Sequence, residues 1–325
     1  MRAWTRETYC GPEGLSLSEI KLPKLEPKEV SIKTMASSIN PADWRLLRAN
    51  PWFIRFSLGL FKPKKPYLGA DIAGIVTEVG SQVKGLKKGD RIVSDILMKG
   101  HGAFSEQTHV SAEYLVKIPK EVEFAQAAGV PIAGLTALQA LRDWAGLKPQ
   151  QHVLINGGSG GVGTFAIQIA KHLDADVTAV CSCRNLDLVA QLGADHCIDY
   201  QNSDFRKAGK TYDIIFDAVG NVSAKDCSQL LKPNGKSLMI GFKSMGFMLK
   251  YMLHGLLISW KSQKKFISQS AKMNTEDLSL LMEWMASGHI RTYIDRTYPF
   301  KEVPKALAES EKGRVRGKLI IDMKA

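Results

Sequence analysis

At 325 residues, with 45% hydrophobic and 23% charged side chains, the chain can build two domains of ordinary size and is too apolar to be disordered. Its net charge of +12 admits anionic partners, whereas five cysteines without a CxxC pair exclude a disulfide framework and a structural zinc lobe. The start MRAWTRETYC has no apolar run behind its charges, so no secretory signal or presequence is expected and the default location is cytoplasmic.

The first third reads as short alternating strands, VSIKTMA, DIAGIVTEVG, DRIVSDI and EQTHVSA, punctuated by LPKLEPKE and KGLKKGD. Near Ala125 this all-β pattern gives way to a single predicted helix through AAGVPIAGLTALQALRDWA. Strand and helix then alternate in βαβ order, with later strands at YDIIFDAVG and GKSLMIG. Such repeats predict a doubly wound parallel sheet. The run MGFMLKYMLHGLLISW, residues 245–260, is shorter than the roughly twenty apolar residues a bilayer span needs. It reads as a core or interface helix, and its flank KSQKK leaves open a weak membrane-surface contact through 245–265. A helix at LSLLMEWMASG, a strand at TYPF, a helix at VPKALAESEKG and a strand at KLIIDM follow, the tail being expected to pair back with the first β region. The expected domains are 1–124 plus 292–325, and 125–291.

Charge is uneven along the chain. No Asp or Glu lies between Cys227 and Thr275, a stretch holding Lys232, Lys236, Lys243, Lys250, Lys261, Lys264, Lys265 and Lys272. A second acid-free stretch, Trp44 to Ala70, mixes Arg45, Arg48, Arg55, Lys62, Lys64 and Lys65 with aromatic residues. No nucleic-acid motif accompanies them, so nucleic acid is not an expected partner.

Residues 154–171, LINGGSGGVGTFAIQIAK, run from an apolar strand through a glycine turn into an apolar-periodic helix. Gly158, Gly160 and Gly163 form GxGxxG, the pattern of a dinucleotide site: a tight turn, close approach of a pyrophosphate, and close packing of helix on strand. Amides at the helix N-terminus then face the phosphates. The next strand, DVTAVCSCRNLD, ends without the carboxylate that holds the ribose of NAD. Ser182 and Arg184 stand there instead, and the forked donors of an arginine suit a 2'-phosphate, which points to NADPH. The alternative for Arg184 is a solvated loop arginine.

Together with the glycine turn, NPADWR (40–45), LGADIAGIVTEVGSQVKGLKKGDRIV (68–93), AGLTALQAL, LGADHCIDY and RGKLIID resemble a zinc-independent medium-chain dehydrogenase/reductase of the quinone oxidoreductase-like group, over essentially the whole chain. The resemblance implies a GroES-like β-rich catalytic domain beside a Rossmann-type nucleotide-binding domain. Zinc alcohol dehydrogenases of that superfamily carry Cys where this chain has Asn40, and Gly-His-Glu where it has Gly69, Ala70 and Asp71. No metal is therefore expected. The implied chemistry is hydride transfer from NADPH to a quinone or to the β-carbon of an α,β-unsaturated carbonyl compound.

For that chemistry Asn40 is the first candidate donor to the carbonyl oxygen, its other reading being a turn residue before Pro41. Asp43 and Arg45 organise the same loop, by binding cofactor or by pairing with each other. By resemblance, Ser159, Gly160, Gly161 and Val162 meet the pyrophosphate, and Ser182, Arg184 and Tyr200 meet the adenosine end. Ala218, Val219, Gly220, Gly241 and Phe242 line the rest of the cleft, Thr136 lies beside the nicotinamide, and Arg316 is a further cofactor residue. No residue stands out as a proton donor. Relatives are commonly homodimers, and GKSLMIG is the candidate edge strand. The rival reading is an NADPH-binding peripheral membrane or regulatory protein.

Overall fold

The computed structural model describes residues 1–97, 99–100, 102–207 and 209–324. It divides into one unit of Met1–Ala133 with Met273–Ala325 and a second of Gly134–Lys272. The helix Thr275–Ala286 and the helix Phe124–Ala128 thus go with the β-rich unit, whereas the alternation of strand and helix in the sequence assigned both to the nucleotide domain.

In the first unit a sheet runs Ile294–Pro299, Lys318–Asp322, Glu29–Ile39, Asp71–Val79, Arg91–Asp95, Val116–Lys117, with Gln107–Ser111 also paired to Glu29–Ile39. The tail returns as expected: Lys318–Asp322 lies antiparallel to Glu29–Ile39 with Leu319 opposite Ile39. On the other side Ser38 pairs with Asp71. These two registers bring Asn40, Asp71 and Lys318 to one end of three neighbouring strands. Val30, Ile32, Ile72, Val76 and Ile92 form a core on this sheet.

The second unit is a six-stranded parallel sheet in the order His196–Asp199, Asp176–Cys181, His152–Asn156, Tyr212–Asp217, Leu231–Met239, Lys265–Ile267. Order reverses beside His152–Asn156, the switch point where open sheets of this kind bind ligands. GKSLMIG is consequently an interior strand. The edge on that side is the three-residue Lys265–Ile267, too short and too close to Lys264 to read as a strand from sequence, and the opposite edge is His196–Asp199.

The single helix expected through residues 127–145 is broken. Phe124–Ala128 ends before Pro131, which lacks an amide hydrogen and restricts Val130, and Pro131–Leu138 then passes into a wider turn at Gln139–Trp144. The apolar run does form a helix, Met245–Lys261, but not a core one. Tyr251 and Gly255 pack on Phe266, while Leu249, Met252, Leu253, Leu256, Leu257 and Trp260 face solvent, Trp260 at 82% exposure. No helix among the described residues is long and apolar enough to cross a membrane.

Candidate active site

In the second unit the strand His152–Asn156 ends in a turn whose first two amides, of Gly157 and Gly158, both donate to the Val180 carbonyl at 3.0 and 3.1 Å. Gly157 has φ +86. Each glycine of the motif has its own reason. A Cβ on Gly163 would lie 2.1 Å from the Gly157 carbonyl oxygen, so the helix Gly161–His172 sits directly on the turn. A Cβ on Gly158 would press on Ala179 and Ile167 at 3.1 and 3.2 Å. At Gly160 a Cβ would find nothing nearer than 3.5 Å, so that glycine keeps open a cradle above the first-turn amides of Gly161, Val162 and Gly163, which have no carbonyl within the helix to bind.

Around this cradle the other expected residues gather at the carboxyl ends of the strands. Asn185 donates to Ser159 Oγ at 2.9 Å and to Ser182 Oγ at 3.2 Å, tying the phosphate turn to the segment that follows Asp176–Cys181. Arg184 is exposed on the single turn Cys183–Asn185, and Asp187 lies within the next helix, Leu186–Gln191. Exposed Tyr200 follows the outer strand. Buried Asp217, unremarked in the sequence, accepts from the amides of Val219 at 3.1 Å, Gly220 at 2.8 Å and Val222 at 3.3 Å, and from Asn156 Nδ2 at 2.8 Å. It thereby shapes the turn carrying Ala218, Val219 and Gly220. Gly220 and Gly241 have no room for a side chain, because each lies against the other's turn, next to Phe242. Thr136 is half-buried on Pro131–Leu138. Open cradle, first-turn amides, two serines and an arginine just beyond Asp176–Cys181 fit a dinucleotide bearing a 2'-phosphate.

In the first unit Asn40 caps the helix Pro41–Arg48, and its amide N–H donates to Asp43 Oδ2 at 2.7 Å. Its side chain is largely committed. Nδ2 donates to Asp71 Oδ2 at 2.8 Å and Oδ1 accepts from Lys318 Nζ at 2.6 Å, which leaves one amide hydrogen. Asp71 also accepts from Ser38 Oγ at 2.6 Å and the Ile132 amide at 3.1 Å, and stands 3.4 Å from Lys318 Nζ. The pair is fully buried, and burial lowers the Lys318 pKa. Sequence reasoning missed Lys318 as a site residue, since only the strand register makes it a neighbour of Asn40.

Asp43 is 1% exposed and its Oδ1 has no partner. Burial, reinforced by the charges of Asp71 and Asp95 against the Asn40 bond and Lys318, pushes its carboxyl up to about 8. Asp95 is pushed up to about 6, first by burial and then by Asp71. Asp43 does not pair with Arg45. Two residues apart on a helix they point to different faces, and Arg45 lies over the Trp44 ring at 5.3 Å. Arg316, also in this unit, donates to Tyr293 Oη at 3.3 Å, and its amide donates to Asp295.

A cavity opens in this unit beside Asp43, with about 680 Å³ of empty space including its mouth. Leu46, Leu58, Leu68 and Ile96 give it an apolar wall.

Two family models match the sequence, an alcohol dehydrogenase GroES-like domain over residues 26–120 and a zinc-binding dehydrogenase over residues 192–321. The chain is 33% identical to a chloroplast envelope quinone oxidoreductase homolog of Arabidopsis thaliana, over 96% of this chain and 95% of that one. It is 31% identical to an NADPH-dependent alkenal/one oxidoreductase of the same plant, over 99% of this chain and 79% of that one. The solved quinone oxidoreductase from Coxiella burnetii superposes with a TM-score of 0.86 at 28% identity, covering 99% of each chain. The zinc in one family description does not fit the residues present. Asn40 offers an amide, Ala70 a methyl group, and Asp71 is taken by Ser38, Asn40 and Lys318; among the described residues no three His, Cys, Asp or Glu converge.

Proposed function

Because the chain belongs to the medium-chain dehydrogenase/reductase superfamily, among its quinone oxidoreductase-like members, we propose that it is an NADPH-dependent reductase of quinones or of the β-carbon of α,β-unsaturated carbonyl compounds. The observation that carries the reading is the open cradle at Gly160 followed by Arg184 where a ribose carboxylate would stand. NADPH supplies the hydride when bound. The chain's own part is to hold the diphosphate with first-turn amides and Ser159, to meet the 2'-phosphate with Ser182, Arg184 and Tyr200, and to fix the turns at Ala218–Gly220 and Gly241–Phe242 through Asp217. At the acceptor end the neutral carboxyl of Asp43 and the remaining Asn40 hydrogen are the donors for charge growing on a carbonyl oxygen.

The test is NADPH and NADH consumption against a simple quinone, an enone, a saturated ketone and an aldehyde, with and without chelator. Quinone or enone should be reduced with NADPH preferred and the chelator without effect. Arg184→Ala should raise the KM for NADPH roughly tenfold and leave that for NADH unchanged. Preference for the saturated ketone or aldehyde, or no turnover of any acceptor, would count against the reading.

A peripheral membrane role is the second reading, favoured by the solvent-facing stripe of Met245–Lys261 and by exposed Trp52, Phe53, Phe56 and Phe61 in the other acid-free stretch. A homodimer joined through the nucleotide sheet would use Lys265–Ile267 rather than GKSLMIG. Five unpaired cysteines suit a reducing compartment such as the cytoplasm.

A further inference from the structure

We infer that the cavity beside Asp43 takes an acceptor that carries a carboxylate, with Arg6 as its counter-ion and Asp43 as hydrogen-bond partner of its carbonyl oxygen. This rests on the reductase reading for turnover, and on the cavity alone for binding. Arg6 is on the cavity wall and 5% exposed, yet it has no ion pair with any described carboxylate. Its Nη1 donates to the Leu46 carbonyl and its Nε has no partner. A buried cation without an anion is costly, and here the missing anion has an open space to occupy.

The surroundings sharpen the requirement. Arg6 lies 5.2 Å from the centroid of the Tyr9 ring and Arg55 lies 4.7 Å from it, and Arg55 likewise has a buried Nε without a partner. Two guanidinium groups therefore share one ring, and among the described residues neither has an ion-pair partner. Lys64 and Lys65 stand on the same cavity wall, and among the described residues that line it Asp43 is the one acidic side chain. With Asp43 protonated at neutral pH the lining is cationic, while Leu46, Leu58 and Leu68 offer an apolar bed. An apolar molecule with one anionic end matches both, and the forked donors of arginine suit a carboxylate. A neutral quinone would leave Arg6 as it is.

The wild-type enzyme is given NADPH with trans-3-benzoylacrylate or with its methyl ester, and binding of the unreactive 3-benzoylpropionate and its methyl ester is measured by calorimetry. The acid should exceed the ester about tenfold in kcat/KM and in affinity, against the greater intrinsic electrophilicity of the ester. Arg6→Met should bring the two to parity, and Arg55→Met, at a less buried position, should reduce the difference. Equal or weaker binding of the saturated acid than of its ester overturns the inference, as does an acid preference unchanged in both folded variants. If no acceptor is reduced while the saturated acid still binds in preference to its ester, the reductase reading falls and the cavity assignment stands.

Discussion

Asp43 keeps its proton through neutral pH because its carboxyl is buried with only one hydrogen bond to offset the loss of water. An unfolded aspartate ionises near about 3.9, so between about 4 and about 8 the native state holds a proton that the unfolded chain has released. Stability through this group is therefore present at low pH and is lost as pH rises through that window, by an amount of order a few kcal/mol. Asparagine stays neutral and can still accept from the Asn40 amide. Asp43→Asn should flatten the fall in unfolding free energy between pH 5 and pH 8, measured by denaturant titration; an unchanged slope would show that Asp43 is already ionised in the native state. Asn40 and Asp43 were legible as one motif on one turn. Arg6 and Lys318 were not, because an isolated arginine in a short strand-turn segment and a lysine near the end of the chain acquire their meaning only from residues far away in sequence.

The glycine turn shows why some elements are readable from sequence. The fit of Gly163 on the Gly157 carbonyl is decided within seven residues and is local, although the turn is also held from afar, by the Val180 carbonyl and by Ala179 against Gly158. The helix Met245–Lys261 shows the opposite. Its apolar content was plain, but which face remains uncovered depends on the strand it lies on. Leu249, Met252, Leu253, Leu256, Leu257 and Trp260 recur at helical spacing as one exposed stripe, with Lys250 and Lys261 alongside and no acidic residue near in sequence. Sedimentation with phosphatidylserine–phosphatidylcholine vesicles should carry the protein down, less so with rising salt, and Leu253→Asp with Leu256→Asp should abolish it. If the wild type stays in the supernatant, the stripe has another partner, and a halved mass for the double variant in solution would name it as a second copy.

At the scale of the molecule, the class of each half was legible because periodicity changes from two to helical where the β-rich region gives way to alternating units. The boundaries were not: a helix such as Thr275–Ala286 looks the same in sequence whichever core it covers. The sheet of the first unit depends on a strand from the far end of the chain, since Lys318–Asp322 lies between Ile294–Pro299 and Glu29–Ile39. Ending the chain after Val315 should give insoluble protein with disrupted β-structure, measurable as the soluble fraction and by circular dichroism; a soluble, cooperatively unfolding product would show that the remaining strands close without it. Synthesis proceeds from the N-terminus, so Asn40 and Asp71 leave the ribosome well before the lysine that balances them. Until Lys318 has been translated, the nascent chain holds Asp71 without the lysine that neutralises it in the folded sheet and leaves a sheet edge open, the kind of exposed surface that chaperones cover.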